Sequence, residues 1–149
     1  MIRKKDSKDI KKIMDIWIAS NLDAHNFISK DYFYNNFDIV KDAIENATVY
    51  VYEQESKVIG FVGINQEFIE GIFVDRNYRS KGIGKKLIDY CKKNYNTLSL
   101  NVYCKNKKAI EFYKREGFES CEKKLEKDNK EFEYVMKWKR YWYKYIKCI

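Results

Sequence analysis

The sequence predicts one α/β domain, a twisted mixed sheet of about seven strands with helices on both faces. Three observations carry that prediction. Short runs of β-branched and aromatic residues alternate with segments whose apolar residues recur every three or four positions. The passage from Phe68 to Tyr103 reads strand, helix, strand, which requires two neighbouring parallel strands joined by a right-handed crossover. Antiparallel hairpins flank that unit on either side. The 149 residues are 45% hydrophobic and show neither an internal repeat nor a low-complexity linker, so residues 1–149 read as a single domain with its own core.

Each element follows from local pattern. Met1 to Lys4 is a short first strand, and Ser7 caps a helix whose Ile10, Ile13, Met14, Trp17 and Ile18 repeat at helical spacing. Asn21 to Phe27 reads as a loop. Ser29 caps a second helix running through Tyr32, Phe33, Phe37, Val40 and Ile44 toward Asn46. Thr48 to Glu53 and Val58 to Asn65 form a hairpin across the Glu55-Ser56-Lys57 turn. Phe68 to Val74 is the next strand, followed by a glycine turn and a helix from about Ile83 to Asn94. Leu98 to Tyr103 is again strand, and the helix from Asn106 to Glu116 is stopped by Gly117. Phe118 to Lys124 and Phe132 to Trp138 close a last hairpin around Asp128-Asn129.

The segment between Ile72 and Cys91 builds an anion cradle. An apolar strand enters a basic turn with Gly82 and Gly84 and leaves as an amphipathic helix. Without side chains over the turn, the first N–H groups of the helix can approach a phosphate, and the helix dipole favours negative charge there. Arg79, Lys81, Lys85 and Lys86 surround the same spot. Two familiar glycine cradles do not fit. A dinucleotide fingerprint needs a third Gly where Leu87 stands, and a Walker A loop needs Ser or Thr where Lys86 stands.

Arg79-x-x-Gly82-x-Gly84 after a strand bearing Ile72 and Val74 resembles the coenzyme A pyrophosphate loop of the GCN5-related N-acetyltransferases (GNAT). Six residues alone fit a surface turn with helix-capping glycines equally well. A second segment decides. From Leu98 to Phe118 the chain resembles the family's other cofactor segment, with Asn106, Ala109, Tyr113, Gly117 and Phe118 at matching spacing after a strand. Together the two motifs cover about the last two thirds of the chain.

The resemblance implies the GNAT fold, acetyl-CoA as cosubstrate, an amine acceptor and direct transfer in a ternary complex. It assigns cofactor binding to Ile72, Phe73 and Val74, to the turn residues Arg79, Ser80, Lys81, Gly82, Ile83, Gly84 and Lys85, and to Asn106, Ala109 and Tyr113. The pantetheine arm would pair with strand backbone at Ile72 and Val74, and a strand N–H near Phe73 or Val74 would meet the oxyanion that forms on attack. Tyr113 stands where the family places the hydroxyl that meets the thioester sulfur. Reference pKa values of about 10 for Tyr and about 8.5 for a thiol make full proton transfer uphill by only about 2 kcal/mol. Ordinary helix packing is the competing reading for Tyr113, and a plain N-cap the competing reading for Asn106.

For the acceptor's proton, Glu70 is the first candidate, because it shares the side-chain parity of Ile72 and Val74 on the motif strand; Glu67 and Asp75 are alternatives. His25 is the single histidine, and its setting, His-x-Phe-Ile after a Trp-containing helix, resembles a bacterial subgroup described as peptidyl-lysine acetyltransferases. A pKa near 6.5 would suit it to proton handling, while acceptor binding and plain loop structure remain open. Tyr32, Tyr103 and Trp17 are candidates for the same pocket. The chain departs from the family at Arg76, where Pro is common, and at Ser80, where many members have Gly.

Composition sets outer bounds. Thirty basic against 22 acidic residues give +8, a field that attracts anions such as phosphorylated cofactors, nucleic acid or acidic protein surfaces. Four cysteines without zinc or Cys-x-x-Cys spacing, beside one histidine, indicate a reduced intracellular protein without a metal. No apolar run reaches membrane-spanning length and no signal-peptide core opens the chain, so a cytoplasmic location is expected. The basic and aromatic extension over residues 139–149 reads as a contact with its own domain or with a second copy in a homodimer. Two rival functions stay open: a CoA-binding sensor without turnover, and a nucleic-acid-binding protein suggested by the charge and the tail.

Overall fold

The computed structural model describes residues 1–140, and the expectations for the tail from residue 141 onward lie outside the described residues. Seven strands form one sheet: β1 (Ile2–Lys4), β2 (Thr48–Gln54), β3 (Lys57–Asn65), β4 (Phe68–Val74), β5 (Thr97–Tyr103), β6 (Glu119–Glu126) and β7 (Glu131–Lys139). Their order is β1-β2-β3-β4-β5-β7-β6, and only the β4–β5 pair is parallel. The helices are α1 (Ile10–Ala24), α2 (Lys30–Asn35), α3 (Phe37–Asn46), α4 (Ile83–Asn94) and α5 (Lys107–Arg115). Among the described residues no helix is long and apolar enough to cross a membrane.

The mixed sheet with helices on both faces is as the sequence predicts, and three local expectations are corrected. Ser7 is not the cap of the first helix. It opens a 3-10 turn after Asp6, and the Asp9 carboxylate accepts from the Asp6 N–H at 2.7 Å while pairing with Arg3. Asn21 to Ala24 is not loop but the last turn of α1, which closes where the His25 N–H reaches the Asn21 carbonyl. The second helix breaks in two at Asn36, whose side-chain amide takes the Tyr32 carbonyl at 2.7 Å and so competes with the helix ladder.

The two faces carry separate cores. On one, Ile69, Leu98, Leu100, Val102 and Met136 of the sheet meet Leu87, Ile88 and Cys91 of α4 and Ile110 and Tyr113 of α5. On the other, Val49, Val51 and Phe61 meet Ile10, Ile13, Met14 and Ile16 of α1 and Ile44 of α3. At about 1.5–3 kcal/mol for each fully buried aliphatic side chain, these layers hold the strands firmly on both sides of the parallel pair.

Between β4 and β5 the sheet opens. Their parallel register consists of Phe68↔Ser99 and Ile69↔Leu100 and goes no further, although β4 runs on to Val74 and β5 to Tyr103. The cause lies on the other side of β4. Gly63 pairs with Gly71 and Ile64 with Ile69, which leaves Glu70 as an extra residue, a β-bulge at the point where pairing with β5 stops. The bulge also corrects the parity assigned to Glu70. Ile69, Ile72 and Val74 all pack on the α4 side, a three-residue step that only the inserted residue permits. Glu70 faces the α1 side instead, where its Cβ lies 3.6 Å from the position a Cβ on Gly63 would take.

Gly71 is required by its neighbour. A Cβ there would fall 2.4 Å from the Phe73 ring, which folds back over the glycine and stacks on buried Phe61 with centroids 5.0 Å apart. Gly71→Ala is expected to displace that ring and to cost about 1–3 kcal/mol, read as a lowered midpoint in urea unfolding. An unchanged midpoint would show that the ring position is not enforced by the glycine.

Candidate active site

A cleft of about 870 Å³ occupies the mouth of the fork. Of the residues the sequence singles out, it gathers Glu70, Ile72, Phe73, Val74, Arg79, Asn106, Ala109, Tyr113 and His25 into one wall. Trp17 and Tyr103, expected in the pocket, line it as well, whereas Tyr32 does not; Asn21, Asp23, Asn101, Lys105, Lys107, Lys108 and Glu133 are among the other lining residues. Ser80, Lys81, Gly82, Ile83, Gly84 and Lys85 are not part of it; they form the turn that leads into α4. Beyond Ile69 the edge of β4 that faces β5 has no strand partner, so an extended chain can be accepted there.

The turn has the geometry of an anion site. Gly82 sits at φ 80°, caps α4 without any side-chain hydrogen bond, and a Cβ built on it would have nothing within 4 Å. From Gly82 to Lys85 no main-chain N–H donates to an acceptor among the described residues. Four consecutive donors without a protein acceptor at a helix start suit a diphosphate. Ser80 adopts φ 63°, so the departure from glycine is accommodated in left-handed backbone that Ser occupies at some cost. A Cβ on Gly84 would sit in ordinary contact with the Phe112 ring of α5, at 3.4 Å.

Three of the cations around the turn are held by carboxylates. Arg76 donates to both oxygens of Asp23 at 2.7 Å, and Arg79 reaches the same carboxylate at 3.4 Å while its Nε approaches the Val74 carbonyl. The Arg76 guanidinium holds the Asp23 carboxyl below its ordinary pKa. Arg76, at the position where the family commonly has Pro, thus ties the end of α1 to the turn. Lys85 bridges Asp89 at 3.3 Å and Glu116 at 3.1 Å, and Lys81 lies over the Tyr78 ring at 5.5 Å.

Tyr113 is fixed from below. After α5 the Gly117 N–H bonds the Lys114 carbonyl and the Phe118 N–H bonds the Tyr113 carbonyl, a Schellman closure that requires the φ of 90° at Gly117. The Phe118 ring packs edge-on against Tyr113, with centroids 5.6 Å apart. The phenol is 8% exposed, lines the cleft, and makes no hydrogen bond to a described residue. Burial pushes its pKa well above the ordinary value, so it stands in the cleft as a neutral donor.

His25 is a junction, not an exposed titrating base. Its Nδ1 lies 3.0 Å from Asn21 Oδ1 and its Nε2 lies 3.2 Å from Asn106 Nδ2. Asn21 Nδ2 is already donating to the Trp17 carbonyl, and Asn106 Oδ1 is accepting from the Ala109 N–H. One assignment satisfies every group: Asn106 donates to Nε2, and Nδ1–H donates to Asn21. The ring stacks on Phe33 and meets Phe27 and Tyr103 edge-on. Burial lowers its pKa to about 4, so the expectation of a group titrating near 6.5 is corrected. Asn21 escapes a reading that ends α1 early, although its i, i+4 spacing to His25 is a legible signal once the helix continues. Asp23, Asn101 and Glu133 carry no motif that singles them out.

The depressed histidine makes stability depend on pH. The unfolded ring binds its proton near pH 6.5 and the folded ring near pH 4, so the contribution is complete above about 6.5 and is lost as pH falls through 4. Between pH 7 and 4.5 the expected loss is roughly 2 kcal/mol, after discounting for solvent that still reaches the ring. Urea unfolding of wild type and His25→Gln at both pH values checks this. An equal loss in the two proteins would remove His25 as the cause.

With this geometry in place, likeness to known proteins gains a structural meaning. Residues 45–120, which span the fork, the cradle and the helix bearing Tyr113, match the model of the Acetyltransferase (GNAT) domain. The chain is 32% identical over 140 residues to the peptidyl-lysine N-acetyltransferase YiaC of Escherichia coli strain K12, covering 93% of this chain and 96% of that protein. The solution structure of apo YjaB from Escherichia coli superposes with a TM-score of 0.83 at 22% identity, over 92% of this chain and 95% of the other. The structure of yncA from Salmonella typhimurium, solved with its cofactor acetyl-CoA, does so at 0.66 and 17% identity, over 94% and 93%. The chain belongs to the GNAT family and is an N-acetyltransferase.

Proposed function

We propose that the protein transfers the acetyl group of acetyl-CoA to a primary amine, with the lysine side chain of a peptide or protein as the acceptor class, while both substrates are bound. The observation that carries the reading is the run of unpartnered N–H groups from Gly82 to Lys85 beside the same fork that Tyr113 lines. Support for the acceptor comes from YiaC, named a peptidyl-lysine N-acetyltransferase. Bound acetyl-CoA supplies an activated thioester; the chain supplies position and charge.

The amides at Gly82, Ile83 and Gly84 hold the diphosphate, with Arg79 and Lys81 beside them. The unpaired edge of β4 at Ile72 and Val74 aligns the pantetheine arm, and Ala109 and Asn106 close its far side. The main-chain N–H of Val74, on the open edge of β4, meets the carbonyl oxygen as it gains negative charge, whereas the register with β3 turns the Phe73 N–H away from the fork. Tyr113 donates a hydrogen bond to the departing sulfur. Its raised pKa makes complete proton transfer costlier than reference values suggest, so the phenol stabilises the thiolate without losing its proton. Glu70, on the bulge at the α1 side of the fork, takes the proton of the amine. His25 keeps Asn106 and the end of α1 in register and does not itself carry the proton. The cytoplasm is the proposed location, in keeping with the unpaired thiols of Cys91, Cys104 and Cys121.

Thiol release from acetyl-CoA with lysine-containing peptides tests the reading directly. Tyr113→Phe is expected to lower kcat on the order of 100-fold while the acetyl-CoA Kd stays within about threefold. Tight acetyl-CoA binding by wild type with no turnover on any peptide or amine would leave the CoA sensor in its place. For the cradle, Gly82→Val is expected to weaken acetyl-CoA at least about tenfold by calorimetry, because a branched side chain disfavours positive φ and covers the amides.

A further inference from the structure

Glu133 stands apart from the other carboxylates of its region. Glu126 accepts from the Tyr103 hydroxyl at 2.5 Å and from Asn129, and Glu131 pairs with Lys105 at 2.9 Å. Glu133, half-buried two residues after Glu131, makes no hydrogen bond and no ion pair with any described residue. It nevertheless lines the cleft.

Register explains its direction. Glu133 pairs with Tyr103 and Val135 with Asn101 across β5 and β7, whereas Tyr134 and Met136 pack in the α4-side core. Glu133, Tyr103 and Asn101 therefore share the α1 side of the sheet, the side on which Glu70 lies. With β5 between β4 and β7, the two glutamates flank β5 from opposite sides and both line the cleft. Trp17 and Tyr103 supply aromatic walls there.

We infer that Glu133 is a specificity-determining carboxylate that draws in and holds the cationic group of the acceptor. This rests on the acetyl-transfer reading and deepens it. A half-desolvated carboxylate without a partner costs the fold free energy that an arriving cation offsets, a trait of groups kept for a ligand. Desolvation raises its pKa; Lys124, opposite it on β6, works against that shift and Glu126 works with it. The charge matters because Lys107 and Lys108 also line the cleft, and an ammonium would otherwise be repelled. Glu70 at the fork then removes the proton, and Glu133 decides which amines arrive. The aromatic walls accept the aliphatic stem of a lysine while its charged end reaches the carboxylate.

Steady-state kinetics of Glu133→Gln and Glu133→Lys with a lysine-containing peptide test this, alongside calorimetry of acetyl-CoA binding. The peptide KM is expected to rise about tenfold in Glu133→Gln and further in Glu133→Lys, with kcat within about threefold and the acetyl-CoA Kd within about twofold. Raising ionic strength should increase the wild-type KM and leave that of Glu133→Gln nearly flat. A Glu133→Gln KM within twofold of wild type overturns the assignment of Glu133 alone. A loss of acetyl-CoA affinity in step with KM also overturns it, since the role would then be structural. Wild type that binds acetyl-CoA but acetylates no amine overturns the transferase reading itself, and this inference with it.

Discussion

The sheet of this protein is held shut everywhere except between β4 and β5, and that single opening organises the rest. Two parallel strands with packed cores on both faces would ordinarily stay paired along their length. Here pairing ends after Ile69↔Leu100, because Glu70 is one residue too many for the register with β3. The bulge turns β4 aside and leaves main-chain donors and acceptors exposed along its edge, a liability in most proteins. Around it, the Gly71 gap that admits Phe73 and the covering layers of α1 and α4 keep the opening at a defined width. An unpaired edge that a rigid frame prevents from closing is ready to receive an extended ligand.

Two polar devices bring the other elements to that opening. On the cofactor side, the Schellman closure at Gly117 sets the phase of α5, so that Tyr113 reaches the fork instead of solvent. On the acceptor side, the chain Trp17, Asn21, His25, Asn106 joins the end of α1 to the N-cap of α5 through hydrogen bonds that each use a distinct donor and acceptor. A neutral imidazole is the group that can both accept from one amide and donate to another, and an added proton would break the contact with Asn106. Asp23 adds a third tie by gripping Arg76 and Arg79.

What the sequence made legible follows the range of the interactions concerned. The order of strands and helices, the glycine cradle and the Gly117 stop depend on residues within a turn or two of each other, and local pattern reveals them. The cofactor motif fell within such a stretch. The errors arose where a distant partner decides. Glu70 alternates correctly within its own strand, and only the pairing of Gly63 with Gly71 shows that the alternation breaks. The pKa of His25 depends on Phe33, Tyr103 and Asn106 closing over it, contacts that no spacing announces. Glu133 is one acidic residue among many in a charged hairpin, distinguished only by what does not reach it.

Net charge, finally, is a poor guide to this site. A total of +8 suggests a protein that attracts anions over its whole surface. Near the fork, however, Arg76 and Arg79 share Asp23, Lys85 is shared by Asp89 and Glu116, and Lys105 is matched by Glu131. Those pairs cancel much of the side-chain field within a few ångströms. The attraction for a diphosphate at the cradle then comes largely from main-chain amides and the start of α4, which do not titrate and cannot swing away. The acceptor side differs in that neither Glu70 nor Glu133 forms an ion pair with a described residue, although Lys124 stands opposite Glu133 on β6. One cleft can therefore hold an anionic ligand at one end and a cationic one at the other, which a uniformly basic surface could not do.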